Sequence, residues 1–231
     1  MEPSSNEIIK KIKEKLLEES ELLSEVVKYV DESFYAAVKA VMECKGKVII
    51  TGVGKSGHVG KKIAASLACL GTPSFFMHAD EALHGDVGMV DKNDVVILIS
   101  NGGKTDEVLK MIPSLNLLGA KKISITNSNS SPLAKLCDIS LCVKVDREID
   151  HLNLAPTASA LAVLAVGDAI AVTVAELKNF DRKSFAIRHP MGALGQQLIK
   201  EYMEATQKEE KENKKEKKEK DTYVQGETIG F

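Results

Sequence analysis

The sequence predicts an α/β protein with a five-stranded parallel sheet flanked by helices and preceded by N-terminal helices. Three observations carry this. Five short apolar, β-branched runs alternate with helical patterns. Two of those runs end in a glycine loop that opens a helix. An amphipathic stretch precedes the first run. Strands that alternate with helices form a parallel sheet covered on both faces. Five of them predict the doubly wound order 2-1-3-4-5, with a ligand at the carboxyl ends where the order reverses.

The elements follow in order. Residues 6–44 read as one or two amphipathic helices, because Ile8, Ile9, Ile12, Leu16 and then Leu22, Leu23, Val26, Val27 and Val30 recur with a period of about 3.6. Strands are expected at Lys47–Thr51, Ser74–Met77, Asp94–Ser100, Lys122–Thr126 and Ile139–Lys144. Helical patterns separate them at 57–70, 105–118 and 131–137, and 79–90 reads as an irregular connection. Thr157–Ala175 is apolar apart from Asp168 and the hydroxyl residues. It is rich in Ala, lacks basic flanks, and a central Asp costs about 2.5–3.5 kcal/mol in a bilayer. It therefore reads as a helix buried in protein, with Asp168 beside a polar partner or an interface. The segment Arg188–Gly195 then leads into a short amphipathic helix. From about Gln207 to Asp221 the chain is almost all Lys and Glu, the composition of a solvated, disordered tail. The expected division is N-terminal helices over 1–45, the sheet domain over 46–205 and the charged tail over 206–231.

An apolar content of 44% is enough for a full core, and with 4% aromatics and no Trp that core is aliphatic. The net charge of −2 argues against a nucleic-acid footprint, so no nucleic-acid partner is expected. Cys44, Cys69, Cys137 and Cys142 have no C-x-x-C spacing and sit in or beside apolar runs, as reduced core thiols do. The N-terminus has no apolar signal core, so the expectation is a cytoplasmic protein with no membrane partner.

Chemistry concentrates in three places. The first is Gly52-Val53-Gly54-Lys55-Ser56-Gly57, directly after the first strand. A helix start there presents free N–H groups and the positive end of the helix dipole to an anion. The glycines let the backbone approach a ligand closely. The pattern also matches the dinucleotide G-x-G-x-x-G. That reading wants an acid closing the second strand, where Met77-His78 stands instead. The P-loop reading fails because its first glycine falls at Ile49. The second place is Ser100-Asn101-Gly102-Gly103-Lys104-Thr105 after the third strand, with Ser100, Asn101 and Thr105 as donors and Thr105 at the N-cap position. Taken alone it is an ordinary strand–helix turn. Paired with the first loop across the switch point, it predicts one shared phosphate site over Gly54, Ser56, Ser100, Asn101 and Thr105. The third is Asp80–Asp86, a polar turn around His84. It has no convincing third metal ligand, so no metal is expected.

The segments GVGKSGH, GTPSFFMHADEALHGDVGMV, ISNGGKTDE, LCVKVDREID, LAPTASALAVLAVGDAIAV and FAIRHPMGALG occur in this order. Together they resemble the sugar isomerase (SIS) domain of D-arabinose-5-phosphate isomerases, over about residues 15–200. The likeness is to the form without the paired cystathionine-β-synthase domains that often follow. It implies a flavodoxin-like, five-stranded SIS fold. It also implies interconversion of D-ribulose 5-phosphate and D-arabinose 5-phosphate, which feeds Kdo synthesis for lipopolysaccharide. The family's functional residues fall on Lys55, His84, Glu107, Glu148 and His189. The resemblance further implies a homotetramer in which neighbours lend histidines to each site. One departure stands out: the usual SNSG loop is SNGG, so a phosphate-facing hydroxyl is missing at Gly102.

Aldose–ketose isomerisation moves a proton between C1 and C2 through an enediolate. It needs a base, a hydroxyl proton shuttle and a cation near the oxyanion. That chemistry calls for no metal or redox cofactor. A glutamate serves as base when partial burial raises its pKa, and Glu107 and Glu148 are both candidates. Lys55 suits the oxyanion or the phosphate, and His84 and His189 suit hydroxyl proton transfer or ring opening. Two alternatives remain at this level: a non-catalytic sugar-phosphate-binding regulator, and an isomerase of another phosphosugar.

Overall fold

Strands β1 (Val48–Gly52), β2 (Ser74–His78), β3 (Val95–Ile99), β4 (Lys121–Thr126) and β5 (Ile139–Cys142) form one sheet. All neighbours are parallel, in the order β2-β1-β3-β4-β5. The predicted order holds, and β1 and β3 lie side by side, with Thr51 paired to Leu98. The computed structural model describes residues 3–192 and 195–207. Its chain forms two units, divided after Asn179.

Every residue of β1 and β3 is buried, as expected of central parallel strands covered on both faces. Alternation decides which core each side chain enters. Val48, Ile50, Val95, Ile97 and Ile99 face one core, and Ile49, Val96 and Leu98 face the other. The first core is roofed by α2 (Glu32–Glu43), α3 (Gly54–Cys69) and α8 (Ala158–Leu177). The second is covered by α4 (Ala79–Leu83), α5 (Asp106–Lys110), α6 (Ile112–Leu118) and α7 (Pro132–Leu136). Each aliphatic side chain so buried contributes about 1.5–3 kcal/mol of transfer free energy.

The N-terminal stretch is α1 (Ser5–Glu25), a 3-10 turn at Val26–Tyr29, and α2. Ser4 and Glu7 close a capping box at the start of α1, satisfying two otherwise orphaned N–H groups. α2 buries Phe34, Ala37, Ala40 and Val41, whereas α1 buries no residue of its own.

Two local expectations are corrected. The stretch 79–90 is not irregular throughout: it holds α4, capped where the His78 ring accepts from the Asp80 N–H, and a 3-10 turn at Asp86–Met89. The helix expected over 105–118 is two helices meeting at Met111. Pro113 has no N–H to bond back to Leu109, so the ladder breaks there.

Helix α8 is long and apolar enough to cross a membrane by composition. Here it packs in the core through Ala162, Val166, Ile170 and Val174. Asp168 pairs with Lys62 and accepts from the Ser66 hydroxyl at 3.0 Å, the polar partners its mid-helix position called for.

The second unit contains α9 (Arg182–Arg188), capped by Asp181, and a helical stretch at 195–207. The boundary placed at 206 falls inside that stretch. The tail beyond 207 lies outside the described residues.

Candidate active site

At the carboxyl edge of β1 and β3 an open cleft of about 250 Å³ is lined by Lys55, Ser56, Asn101, Gly102, Thr105 and Ser159, among others. The doubly wound order puts it there, because the chain leaves β1 and β3 toward opposite faces and parts the two following loops.

The first wall is the β1–α3 turn. Gly54 sits at φ 57°, a left-handed conformation that disfavours other residues. Val53 holds the N-cap position, and no side chain among the described residues caps the helix. The first N–H groups of this 16-residue helix are thus left for a ligand, with the helix dipole behind them. Lys55 and Ser56 stand at this start and line the cleft.

The β3–α5 turn completes that wall. Gly103 has φ 62°, and a Cβ there would stand 2.4 Å from the Ser131 hydroxyl oxygen, so only glycine closes the turn. The Ser100 and Thr105 hydroxyls lie 2.7 Å apart in a hydrogen bond. Thr105 does hold the N-cap position of α5, but its side chain turns to Ser100 instead of capping. A Cβ at Gly102 would meet nothing within 4 Å. Glu107, half-buried in the first turn of α5, has no hydrogen-bond or ion-pair partner among the described residues.

The opposite wall is the start of α8: Pro156, Ser159, Ala160 and Val163. Sequence reasoning assigned no role to these residues. The only available signal was the LAPTAS run itself, where Ala160 and Val163 lie on Ser159's side of a helix. Glu148 organises this wall. Its carboxylate accepts from the Thr157 N–H (2.8 Å), the Thr157 hydroxyl (3.0 Å), the Ser159 N–H (3.1 Å) and the Ser159 hydroxyl. It therefore caps α8 from nine residues upstream of Thr157, where α8 has no side-chain cap of its own N-cap residue. The Thr157 hydroxyl, donating to Glu148, accepts in turn from the Ile149 N–H at 3.1 Å.

This corrects the expectation of a raised pKa at Glu148. Burial pushes its carboxyl upward, but the hydrogen bonds from Ser159 and Thr157 outweigh burial and hold it below the usual glutamate value.

Of the ten residues singled out in the sequence, Lys55, Ser56, Asn101 and Thr105 line the cleft. Gly54 and Ser100 lie in the same two turns, Glu107 is one turn into α5, and Glu148 reaches the cleft through Ser159. His84 does not line it: it is exposed at the C-cap of α4. His189 belongs to the second unit. There its ring stacks on Phe185 with centroids 3.8 Å apart, and its Nδ1 lies 2.8 Å from the Phe185 carbonyl oxygen.

A doubly wound sheet with a donor-lined cleft at its switch point defines the class, and the family model for the SIS domain matches residues 41–173. The chain belongs to the SIS-domain family. Its relatives include arabinose 5-phosphate isomerase KdsD of Shigella flexneri, 48% identical over 81% of this chain and 57% of the relative. The KdsD of Escherichia coli K12 gives the same identity and coverage. The chain thus spans a little over half the length of these curated relatives. Among solved structures, an E. coli CFT073 protein in complex with arabinose 5-phosphate superposes with a TM-score of 0.79 at 46% identity, covering 81% of this chain and 100% of that one.

Proposed function

We propose that this chain is an aldose–ketose isomerase interconverting D-ribulose 5-phosphate and D-arabinose 5-phosphate through an enediolate, the step that feeds Kdo and lipopolysaccharide synthesis. One conjunction supports this most. The Lys55–Ser56 helix start and the Asn101–Thr105 turn share a cleft, in a chain 46% identical to the whole of one solved with arabinose 5-phosphate.

In this reading Gly54, Ser56, Ser100, Asn101 and Thr105 form the phosphate cradle, and Lys55 neutralises the phosphate or the developing oxyanion. The ketose loses a proton from C1, and the aldose is completed by a proton delivered to C2. Glu107 takes the carbon proton, because its carboxylate is uncommitted and half-buried. Glu148 is already engaged by four hydrogen bonds and acts by holding Ser159 at the cleft wall. His84 and His189 relay hydroxyl protons or assist ring opening, in sites shared between subunits of a cytoplasmic homotetramer. The apolar groove over α2 and α8, where Val30, Tyr35 and Leu177 are each more than half exposed, supports association.

The deciding experiment is incubation with D-ribulose 5-phosphate and identification of the product by NMR. D-Arabinose 5-phosphate is expected, and an unchanged substrate or another sugar overturns the reading. Light scattering at assay concentration tests the assembly, and a fully active monomer refutes it.

A further inference from the structure

Residues 143–157 connect β5 to α8 without regular secondary structure, a length at which loops tend to be functional. Its exposed Leu152 and Leu154 show that buried apolar surface does not hold its tip in place. Polar bonds do. The Asp150 carboxylate accepts from three backbone N–H groups, those of Leu152, Leu154 and Ala155, each at 2.9 Å. The Asp150 carbonyl accepts from the Asn153 N–H at 3.1 Å. Asn153 sits at φ 55°, and its side-chain oxygen accepts from the Glu148 N–H at 2.7 Å. The turn that Asp150 gathers therefore fixes Glu148 on one side. On the other it delivers Ala155 and Pro156 into Thr157, a partner of the Glu148 carboxylate.

We propose that Asp150 is a positioning residue for the reaction: it holds the 148–157 turn so that Glu148 meets Thr157 and Ser159 and sets the α8 wall of the cleft. The catalytic consequence rests on the isomerase reading above. The proposed phosphate cradle lies on the other wall, and among the described residues it has no hydrogen bond to this turn. Losing Asp150 therefore lowers kcat and spares KM. A displacement near 1 Å at a reacting centre costs up to about 10²-fold.

The test uses the full chain with Asp150→Ala and Asp150→Asn, assayed on D-ribulose 5-phosphate and normalised to the folded fraction. In parallel, amide hydrogen exchange is followed at Thr157 and Ser159, with Val95–Ile99 as the internal control. Asp150→Ala is expected to lower kcat about tenfold with KM within about twofold. Asp150→Asn, which keeps one acceptor oxygen, falls between Asp150→Ala and the parent. Exchange rises at Thr157 and Ser159, which Asp150 does not touch, while β3 stays protected. Normal kcat in Asp150→Ala beside an active parent overturns the inference and leaves the isomerase reading standing. An inactive parent overturns that reading, and the exchange data then decide the positioning role alone. Unchanged protection at Thr157 and Ser159 refutes it.

Discussion

The two walls of the cleft are built differently. On the β1 and β3 side, each turn is local: a strand, a glycine-bearing bend and a helix start within a few residues. Its donors are left open, since the start of α3 carries no side-chain cap. On the α8 side the wall is non-local, and the donors at the helix start are already taken by Glu148. One wall presents uncapped N–H donors, while the other has an internal carboxylate in the equivalent place. Similar helix termini thus differ in whether the chain supplies its own anion.

The sharpest way to break this contrast is to neutralise the two glutamates. Glu107→Gln is expected to lower turnover by about 10²–10⁴, the scale of a positioned base, with an unchanged melting temperature. Glu148→Gln is expected to lower turnover less and to destabilise the start of α8. If steady-state kinetics and thermal melts show the reverse order, the base assignment moves to Glu148.

Lys55→Ala comes next. A charge-assisted contact contributes about 1.5–3 kcal/mol, so kcat/KM for the phosphorylated sugar should fall about 10–150-fold. An unphosphorylated pentulose handled as well as its phosphate ester would show that the first wall is not an anion site.

The second wall has a pH signature. The carboxyl of Glu148 is lowered from its ordinary value of 4.5. Its bonds therefore add stability that is fully present above that value and is lost as pH falls through the lower folded-state value. The melting-temperature gap between the parent and Glu148→Gln should be widest near neutral pH and close on the acid side of 4.5. A gap that persists unchanged into acid would mean the carboxylate charge is not what caps α8.

The smallest effect is expected at Gly102. A Cβ there has open space, so Gly102→Ser adds a hydroxyl to the first wall without steric cost. A neutral hydrogen bond contributes about 0.5–1.5 kcal/mol, and KM should fall a few-fold. An increase would show that the wall needs the room that glycine leaves.

Much of the fold was legible because it rests on local pattern. The five strands, their order and the two glycine turns follow from hydrophobic runs and turn chemistry within windows of a dozen residues. The breaks at Pro113 and around His78 were missed because each is decided by a single backbone or ring nitrogen. For the site, Lys55, Ser56, Asn101 and Thr105 were legible as a pair of turns flanking the switch point. Ser159 was not, since in sequence it is one hydroxyl inside an apolar helix.

The sequence by itself determined the parallel sheet, its order and the two glycine turns that line the cleft, because periodicity and glycine placement act between near neighbours. Only the tertiary structure decided what Glu148 does. Its partners lie nine and eleven residues away, across a turn that Asp150 and Asn153 close. Burial pushes its pKa one way and hydrogen bonds push it the other, and the balance depends on where Thr157 and Ser159 come to rest. No local pattern encodes that meeting, because it arises only when the connection after β5 folds back onto the start of α8.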